Sequence, residues 1–351
     1  MAGVGHVFNP DHDIALAFGK EGFTPPAAGR GMRNDLAFLP AIWAEKGDLV
    51  VVDNPAMAQE MAKPLKWLLA DVDFVAMGEV KNRAADGFVV RPWGWNRALR
   101  HQLSRAGVPE GCLPSKEGLD RLRRMSHRAT SISLLRALVD GSEAMVGERS
   151  DVTDIDDLQR LAERYGRMVL KAPWSSSGRG VRFVEQWPSA NVMGFARNVI
   201  ARQGSIIVEP CYERVMDFAM EFVADGKGMA EYRGLSLFHT VNGAYVGNLL
   251  ASEEEKWQTL AQHVDPAALH QVRKVVEKVV GEWCRNCYDG PFGVDMMVVR
   301  QQHGFALHPC VEVNLRRTMG HVALDVAKKT QDQYRVMRVA YENGTYRLRL
   351  E

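Results

Sequence analysis

The chain has 351 residues, 46% hydrophobic and 25% charged, and its 44 basic and 43 acidic side chains leave a net charge of +1. That length suits about two domains with cores of their own. The near-zero charge argues against a dedicated nucleic-acid or membrane-surface binder, which carries a basic excess. No run of about 18 apolar residues marks a membrane span. The first residues, MAGVGHVFNPDHD, lack the basic patch and apolar run of a secretion signal. Five cysteines are an odd number for a disulfide framework, so the expected setting is a reducing cytoplasm. Cys284 and Cys287 form a CxxC, but no second Cys or His pair completes a zinc set, and ordinary thiols are expected.

In chain order, residues 4–8 read as a strand, 35–44 as a helix, 48–52 as a strand, 55–69 as a helix, 72–77 as a strand and 97–106 as a helix. Strands alternating with helices predict a parallel sheet flanked by helices. Pro109, Gly111 and Pro114 then punctuate the chain, which predicts a domain boundary near 113. Beyond it come helices over 116–124 and 126–138, a strand at 143–147, and a helix over 155–165 with Asp154 as its N-cap. Strands at 167–172 and 181–184, a helix over 188–203 and a strand at 205–209 follow. Longer strands at 216–224, 229–238 and 243–251 are separated by Asp225-Gly226 and Asn242-Gly243, a spacing that predicts antiparallel pairing. Helices over 253–262 and 267–287, strands at 290–299 and 304–314, and a helix over 320–330 precede a C-terminal tail.

Three constellations carry chemistry. Val169 and Leu170 lead into Lys171 at a strand end, and Ser175, Ser176, Ser177, Gly178, Arg179 and Gly180 follow. Glycines let a backbone approach phosphates, successive N–H groups form an anion nest, and Lys171 adds a point charge. GxxxxGK[ST] is absent, and the next element is a strand, so the segment reads as a hairpin lid; a Ser/Gly surface turn would look the same. Next, Ile206, Ile207 and Val208 run into Glu209, Pro210, Cys211 and Tyr212, with Asp217 beyond. That pattern can line a flat pocket for a base and aim a carboxylate at a ribose, or be a plain strand end. Third, Phe292 to Met297 hold Asp295 among apolar neighbours, and Val311 to Arg316 hold Glu312 and Asn314 in the same way. Glu312 and Asn314 share a face because side chains alternate along a strand. If the two strands pair through the 300–304 turn, Asp295 joins them. Three oxygen donors suit Mg²⁺, and Arg316 falls on the same side, where it can steady a phosphate.

The order of these pieces resembles the ATP-grasp superfamily over about 115–330. The resemblance implies an α/β chain: a small N-terminal parallel-sheet domain (1–112), then a two-lobed α+β ATP-grasp domain (113–330, lid lobe about 140–210), then a tail (331–351). It implies Lys171 as the second nucleotide lysine and the lid residues Ser175 to Gly180 over the phosphates. Glu209, Pro210, Cys211 and Tyr212 match the adenine hinge and Asp217 the ribose carboxylate. Asp295, Glu312 and Asn314 match ligands of Mg²⁺ (or Mn²⁺), and Arg316 matches the arginine beside the reacting carboxylate. Arg128 stands where the family has another lysine, and Asp217 where it usually has Glu.

The implied activity is an ATP-dependent ligase that activates a carboxylate as an acyl phosphate for attack by an amine or other nucleophile. A small-molecule kinase or a non-catalytic nucleotide-binding protein stays open. Small-molecule substrates are the expected partners, without nucleic acid or membrane, and a homodimer is possible. His321 is close enough to the metal strand to be considered as a base, and could equally cap a helix. Asn9, Asp11, His12 and Asp13 follow a strand, where open α/β sheets bind ligands. With the segment from Arg91 through Trp93, Gly94 and Trp95 to Asn96, they are the candidate second-substrate residues. Arg33, Asn34 and Asp35 match no substrate motif.

Overall fold

A computed structural model of the chain describes residues 3–84, 87–175, 180–241, 244–330 and 333–351. The N-terminal third builds a parallel sheet of β1 (Val4–Val7), β2 (Leu49–Val52), β3 (Asp73–Ala76) and β4 (Val89–Pro92), in the order β3-β2-β1-β4. Leu49, Val50, Val51 and Val52 are all buried, as a strand covered on both faces requires. Asn54 and Asn96 start the helices that follow β2 and β4, their side chains accepting from Met57 N and Leu99 N.

A second, antiparallel sheet contains β5 (Ser150–Val152), β6 (Met168–Lys171), β7 (Val181–Val184) and β8 (Ile206–Pro210), ordered β5-β8-β6-β7. The helices Ile155–Tyr165 and Ala190–Gln203 pack on it around a core of their own, and Asp154 caps the first of them. The largest sheet is antiparallel: β9 (Arg214–Asp225), β10 (Ala230–Val241), β11 (Ala244–Leu249), β12 (Asp289–Arg300), β13 (Phe305–Asn314), β14 (Val336–Glu342) and β15 (Thr345–Leu350). Its order is β13-β12-β9-β10-β11-β14-β15.

Alternation divides this large sheet into two chemistries. Phe218, Met220, Phe222, Phe292, Val294, Met296 and Leu235 face the main core, against Leu269, Val272, Val276 and Val280 of the helix Pro266–Cys284 and Leu134, Leu135 and Leu138 of the helix Ser131–Val139. The intervening positions, Asp217, Ala219, Glu221, Gly293 and Asp295, point the other way.

Four expectations are corrected. The helix expected over 35–44 lies earlier, at Ala27–Asp35, and 39–42 is a 3₁₀ turn. Pro40 cannot sit inside an α-helix, while Gly29 and Gly31 disguised the true helix as a loop. Residues 143–147 form no strand: Met145 makes a single bridge to Leu307, and the strand comes at Ser150–Val152. The strand β4 had not been foreseen. The tail expected over 331–351 instead contains the hairpin β14–β15, which extends the large sheet through β11. The Asn242-Gly243 turn lies outside the described residues.

That hairpin completes the N-terminal core. Met337 and Leu348 pack with Phe8, Leu36, Phe38, Ile42 and Trp93, and with Val322 and Val326 of the helix Met319–Thr330. Met337 is fully buried. Met337→Ala is expected to cost about 2–5 kcal/mol in urea unfolding; a cost below about 0.5 kcal/mol would mean that the hairpin adds nothing to this core.

Candidate active site between the lid lobe and the central sheet

The site is built on the non-core face of β12 and β13. Asp295 pairs directly with Glu312 and Gly293 with Asn314, so the two carboxylates and the amide share one face, as the spacing predicted. Asn314 Nδ2 donates to Asp295 Oδ2 at 3.1 Å. Burial first, then the charges of Glu312 and Glu221, push the Asp295 carboxyl up to about 8. Among the described residues no group of three His, Cys, Asp or Glu side chains is arranged for a metal; the set here is two carboxylates and an amide.

The expected ligand-binding cations surround this face, each holding a carboxylate of the protein. Arg128 Nη2 donates to Glu312 Oε1 at 2.7 Å and its Nη1 to Ser175 Oγ at 2.9 Å and to the Ala172 carbonyl. Lys171 Nζ donates to Glu209 Oε2 at 2.6 Å, while Arg149 Nε donates to Glu209 Oε1 at 2.6 Å. Burial would raise the Glu209 pKa, but Arg149 and Lys171 overcome it and hold that carboxyl at about 2. Burial lowers the Lys171 pKa against the pull of Glu209. Arg316 grips Asp13 with Nε at 3.0 Å and Nη2 at 2.8 Å, and Nη2 also donates to Asn314 Oδ1 at 3.0 Å. Burial alone would raise the Asp13 pKa; Arg316 reverses that and holds it below the usual range.

The remaining nucleotide-site candidates frame the same space. Ala172 N donates to Gly180 O at 2.7 Å, closing the base of the lid hairpin. A Cβ on Gly180 would stand 2.3 Å from that of Ser175, so only glycine fits there. Ser176, Ser177, Gly178 and Arg179 lie outside the described residues. Pro210, Cys211 and Tyr212 form the link from β8 to β9, with Cys211 N donating to Arg167 O at 3.0 Å. Asp217 accepts from Thr240 Oγ1 at 2.6 Å and lies 3.0 Å from Arg214; burial raises its pKa, and Lys171 is close enough to oppose that.

The two candidate second-substrate segments meet. Asn9 Nδ2 donates to Gly94 O at 2.8 Å, and Gly94 N donates to Asn9 Oδ1 at 3.2 Å. The His12 ring lies where a Gly94 side chain would be, 2.5 Å from the ideal Cβ, and Asn96 Nδ2 sits 3.3 Å from His12 Nδ1. This knot fills the crevice between β1 and β4 and sends Asp13 outward to Arg316. A narrow cleft opens beside it, lined by His12, Asp13, Trp174, Ser175, Glu312 and Asn314. Arg91 stays outside, paired with Asp289 at 2.7 Å. In the helix Ala27–Asp35, Arg33 lies 3.7 Å from Asp53, and Asp35 accepts from Tyr346 N at 2.8 Å.

His321 does not line the cleft. It lies in the first turn of the helix Met319–Thr330, its N–H donating to Thr318 Oγ1 and its Nδ1 2.9 Å from the buried Glu221 Oε2. Glu221 is a further carboxylate on the sheet face that sequence reasoning passed over; Gly293 and Gly320 leave room for it. Arg149 was also missed. It ends the segment Gly147-Glu148-Arg149, which has no periodic pattern, yet it is buried and donates to Cys310 O at 3.1 Å and Val311 O at 2.6 Å.

No family model matches the chain, and no curated protein matches it in sequence. Solved structures do. N5-carboxyaminoimidazole synthetase from Staphylococcus aureus, solved with ADP, aligns with a TM-score of 0.52 at 13% identity, over 97% of this chain and 82% of that one. The biotin carboxylase domain of 2-oxoglutarate carboxylase from Hydrogenobacter thermophilus, solved with MgADP and bicarbonate, aligns at 0.53 and 14% identity, over 93% and 70%. A protein from Archaeoglobus fulgidus described as an ATP-grasp superfamily member aligns at 0.50 and 14% identity, over 99% of both chains. At such identities the likeness is one of architecture, and it coincides with the order of parts described above: the chain has the fold of the ATP-grasp superfamily.

Proposed function

We propose that the chain is an Mg²⁺- and ATP-dependent ligase that activates a small carboxylate as an acyl phosphate for attack by an amine or another nucleophile. The observation that carries this reading is the in-register Asp295–Glu312 pair with Asn314 beside it, ringed by Arg128, Lys171 and Arg316. Two carboxylates set side by side must share a cation or hold a proton, and their hard oxygen donors fit Mg²⁺ better than a softer metal. Asp295, Glu312 and Asn314 would hold it, and when bound it neutralises charge on the β and γ phosphates. The S. aureus and H. thermophilus structures, with ADP and MgADP, support the same reading.

The residues then divide the work. Lys171 and Arg128 hold the phosphates as the γ phosphoryl group passes to the substrate carboxylate. The lid from Ser175 to Gly180 closes over them and keeps water from the acyl phosphate. Glu209 to Tyr212 and Asp217 hold the base and ribose. Arg316 steadies the oxygens that gain charge when the carboxylate attacks and again when the nucleophile adds. Asp13 keeps the Arg316 fork oriented from the N-terminal side. On this reading residues 1–112 form the substrate-side domain and 113–330 the ATP-grasp domain with its lid at about 140–210.

Turnover tests the proposal. ADP and phosphate released only when a carboxylate and an amine are both supplied support ligation; ADP with a stable phosphorylated alcohol would indicate a kinase instead. Asp295→Asn and Glu312→Gln should each lower kcat more than about 100-fold with the fold intact by circular dichroism; near-normal activity in both sinks the metal set. Lys171→Met should weaken ATP binding about 10- to 100-fold by calorimetry, the worth of one charge-assisted phosphate contact.

A pH dependence follows from Asp295. Its carboxyl is raised from 3.8 to about 8 in the folded chain, so between those values the native state binds the extra proton. Unfolding free energy in the presence of chelator must then fall as pH rises from about 4 to about 8. Asp295→Asn removes that slope: metal-free, it should gain in Tm relative to wild type toward pH 8 and keep no such gain near pH 4. Parallel Tm–pH curves for the two proteins would contradict the buried-pair assignment.

A further inference from the structure

The candidate site leaves one buried polar group unused. His308 on β13 has no exposed surface, and among the described residues neither ring nitrogen has a hydrogen-bond partner. A neutral imidazole always carries one donor and one acceptor. Burial keeps this one neutral, its pKa pushed down to about 3. Each unmet polar atom in an interior costs about 1–3 kcal/mol, and an apolar side chain of similar size would avoid that cost.

Its position is set by a distortion of the sheet. Asp295 pairs with Glu312, but two residues on, Met297 pairs with His308, four residues back along β13. β13 therefore bulges over Pro309, Cys310 and Val311. Proline has no N–H to give a ladder, and bulges are where strands tolerate it. Arg149 takes up the carbonyls of Cys310 and Val311 that the bulge frees. With regular alternation Cys310 would stand opposite Met297; the bulge brings His308 there instead. Met297 pairs in turn with Asp217 on β9, so His308, Met297 and Asp217 form one row on the site face.

The surroundings of that row belong to the nucleotide slot. The His308 ring meets Tyr212 of the β8–β9 link edge-on, with centroids 5.4 Å apart. Glu209, Arg149 and Lys171 are close enough to act on its charge, and Lys171 acts on Asp217 as well. On the fourth side stands Gly147, whose absent Cβ would lie 3.1 Å from His308 Nε2.

From this geometry we infer that His308 is a base-recognition residue, whose N–H donates to a ring nitrogen of a purine held between the lid lobe and the sheet. The inference rests on the ATP-dependent reading above and adds to it a specificity determinant for the base. In the free protein the imidazole goes unmet among the described residues, and the base would supply an acceptor for its N–H. The polar group thus costs stability in the free protein and is repaid in discrimination.

The test is calorimetric binding of ATP and of its 1-deaza, 3-deaza and 7-deaza analogues to wild type, His308→Leu and His308→Gln, with melting of each free protein. Wild type should bind one of the three analogues about tenfold more weakly than ATP. His308→Leu should bind ATP about tenfold more weakly, bind that analogue as well as it binds ATP, and melt at or above wild type because an unmet polar group is gone. His308→Gln, which keeps a donor, should recover part of the loss. Equal ATP affinity in wild type and His308→Leu, or an equal loss for ATP and every analogue, overturns the assignment while leaving the ligase reading intact. A wild-type chain that binds no ATP overturns both.

Discussion

A carboxylate buried in a protein must find a cation or give up its charge, and the central cleft is organised by that constraint. Glu209 lies between Arg149 and Lys171, Glu312 against Arg128, and Asp13 in the fork of Arg316. Asp295 is the contrasting case: its hydrogen-bond partner is the neutral amide of Asn314, and its carboxyl is driven toward the protonated form. Pairs of this kind are weak evidence for stability, since desolvation offsets much of their attraction. Their effect is geometric. Each joins elements distant in sequence: Arg149 ties the lobe edge to β8 and to the bulge of β13, and Arg316 ties the end of β13 to the first helix of the chain.

On the proposed reading, these pairs prepare an exchange. A triphosphate brings negative charge to Arg128 and Lys171, and a divalent cation brings positive charge to Glu312 and Asp295. Glu312 and Arg128 hold each other until both arrive, so neither metal nor nucleotide alone can satisfy the two. Charge is traded within the cleft rather than drawn from water, which keeps the reorganisation small where electrostatic stabilisation acts most strongly.

How far the sequence disclosed this follows from the range of each signal. The β12–β13 pairing was legible because both strands alternate, each sets acid or amide positions among apolar neighbours, and a short polar turn joins them. The strands β6, β7 and β8 were legible for the same local reasons. The Asp13–Arg316 contact spans 303 residues and leaves no periodic trace, although each partner stood out separately. Arg149 was invisible because nothing in a polar loop announces burial. Alternation alone puts His308 on the face of Glu312 and Asn314; what it could not give was the register shift that sets His308 opposite Met297, of which Pro309 was the readable sign. The helix Ala27–Asp35 was masked by its two glycines, whereas the C-terminal hairpin had a readable sign that went unused: Asn343 and Gly344, both at positive φ, turn the chain, and Thr345 to Leu350 alternate.

That hairpin also sets an order of events. Phe8, Leu36 and Phe38 belong to the earliest part of the chain to be synthesised, yet the apolar surface they form is covered by Met337 and Leu348. Domains usually fold as units from the N-terminus during synthesis; most of the first sheet packs on residues of its own third, such as Val51, Val75, Leu99 and Leu103, but the Phe8–Leu36–Phe38 part of its core is completed only once β14 and β15 have emerged. Damage to the last strands therefore reaches a core begun at the other end of the chain.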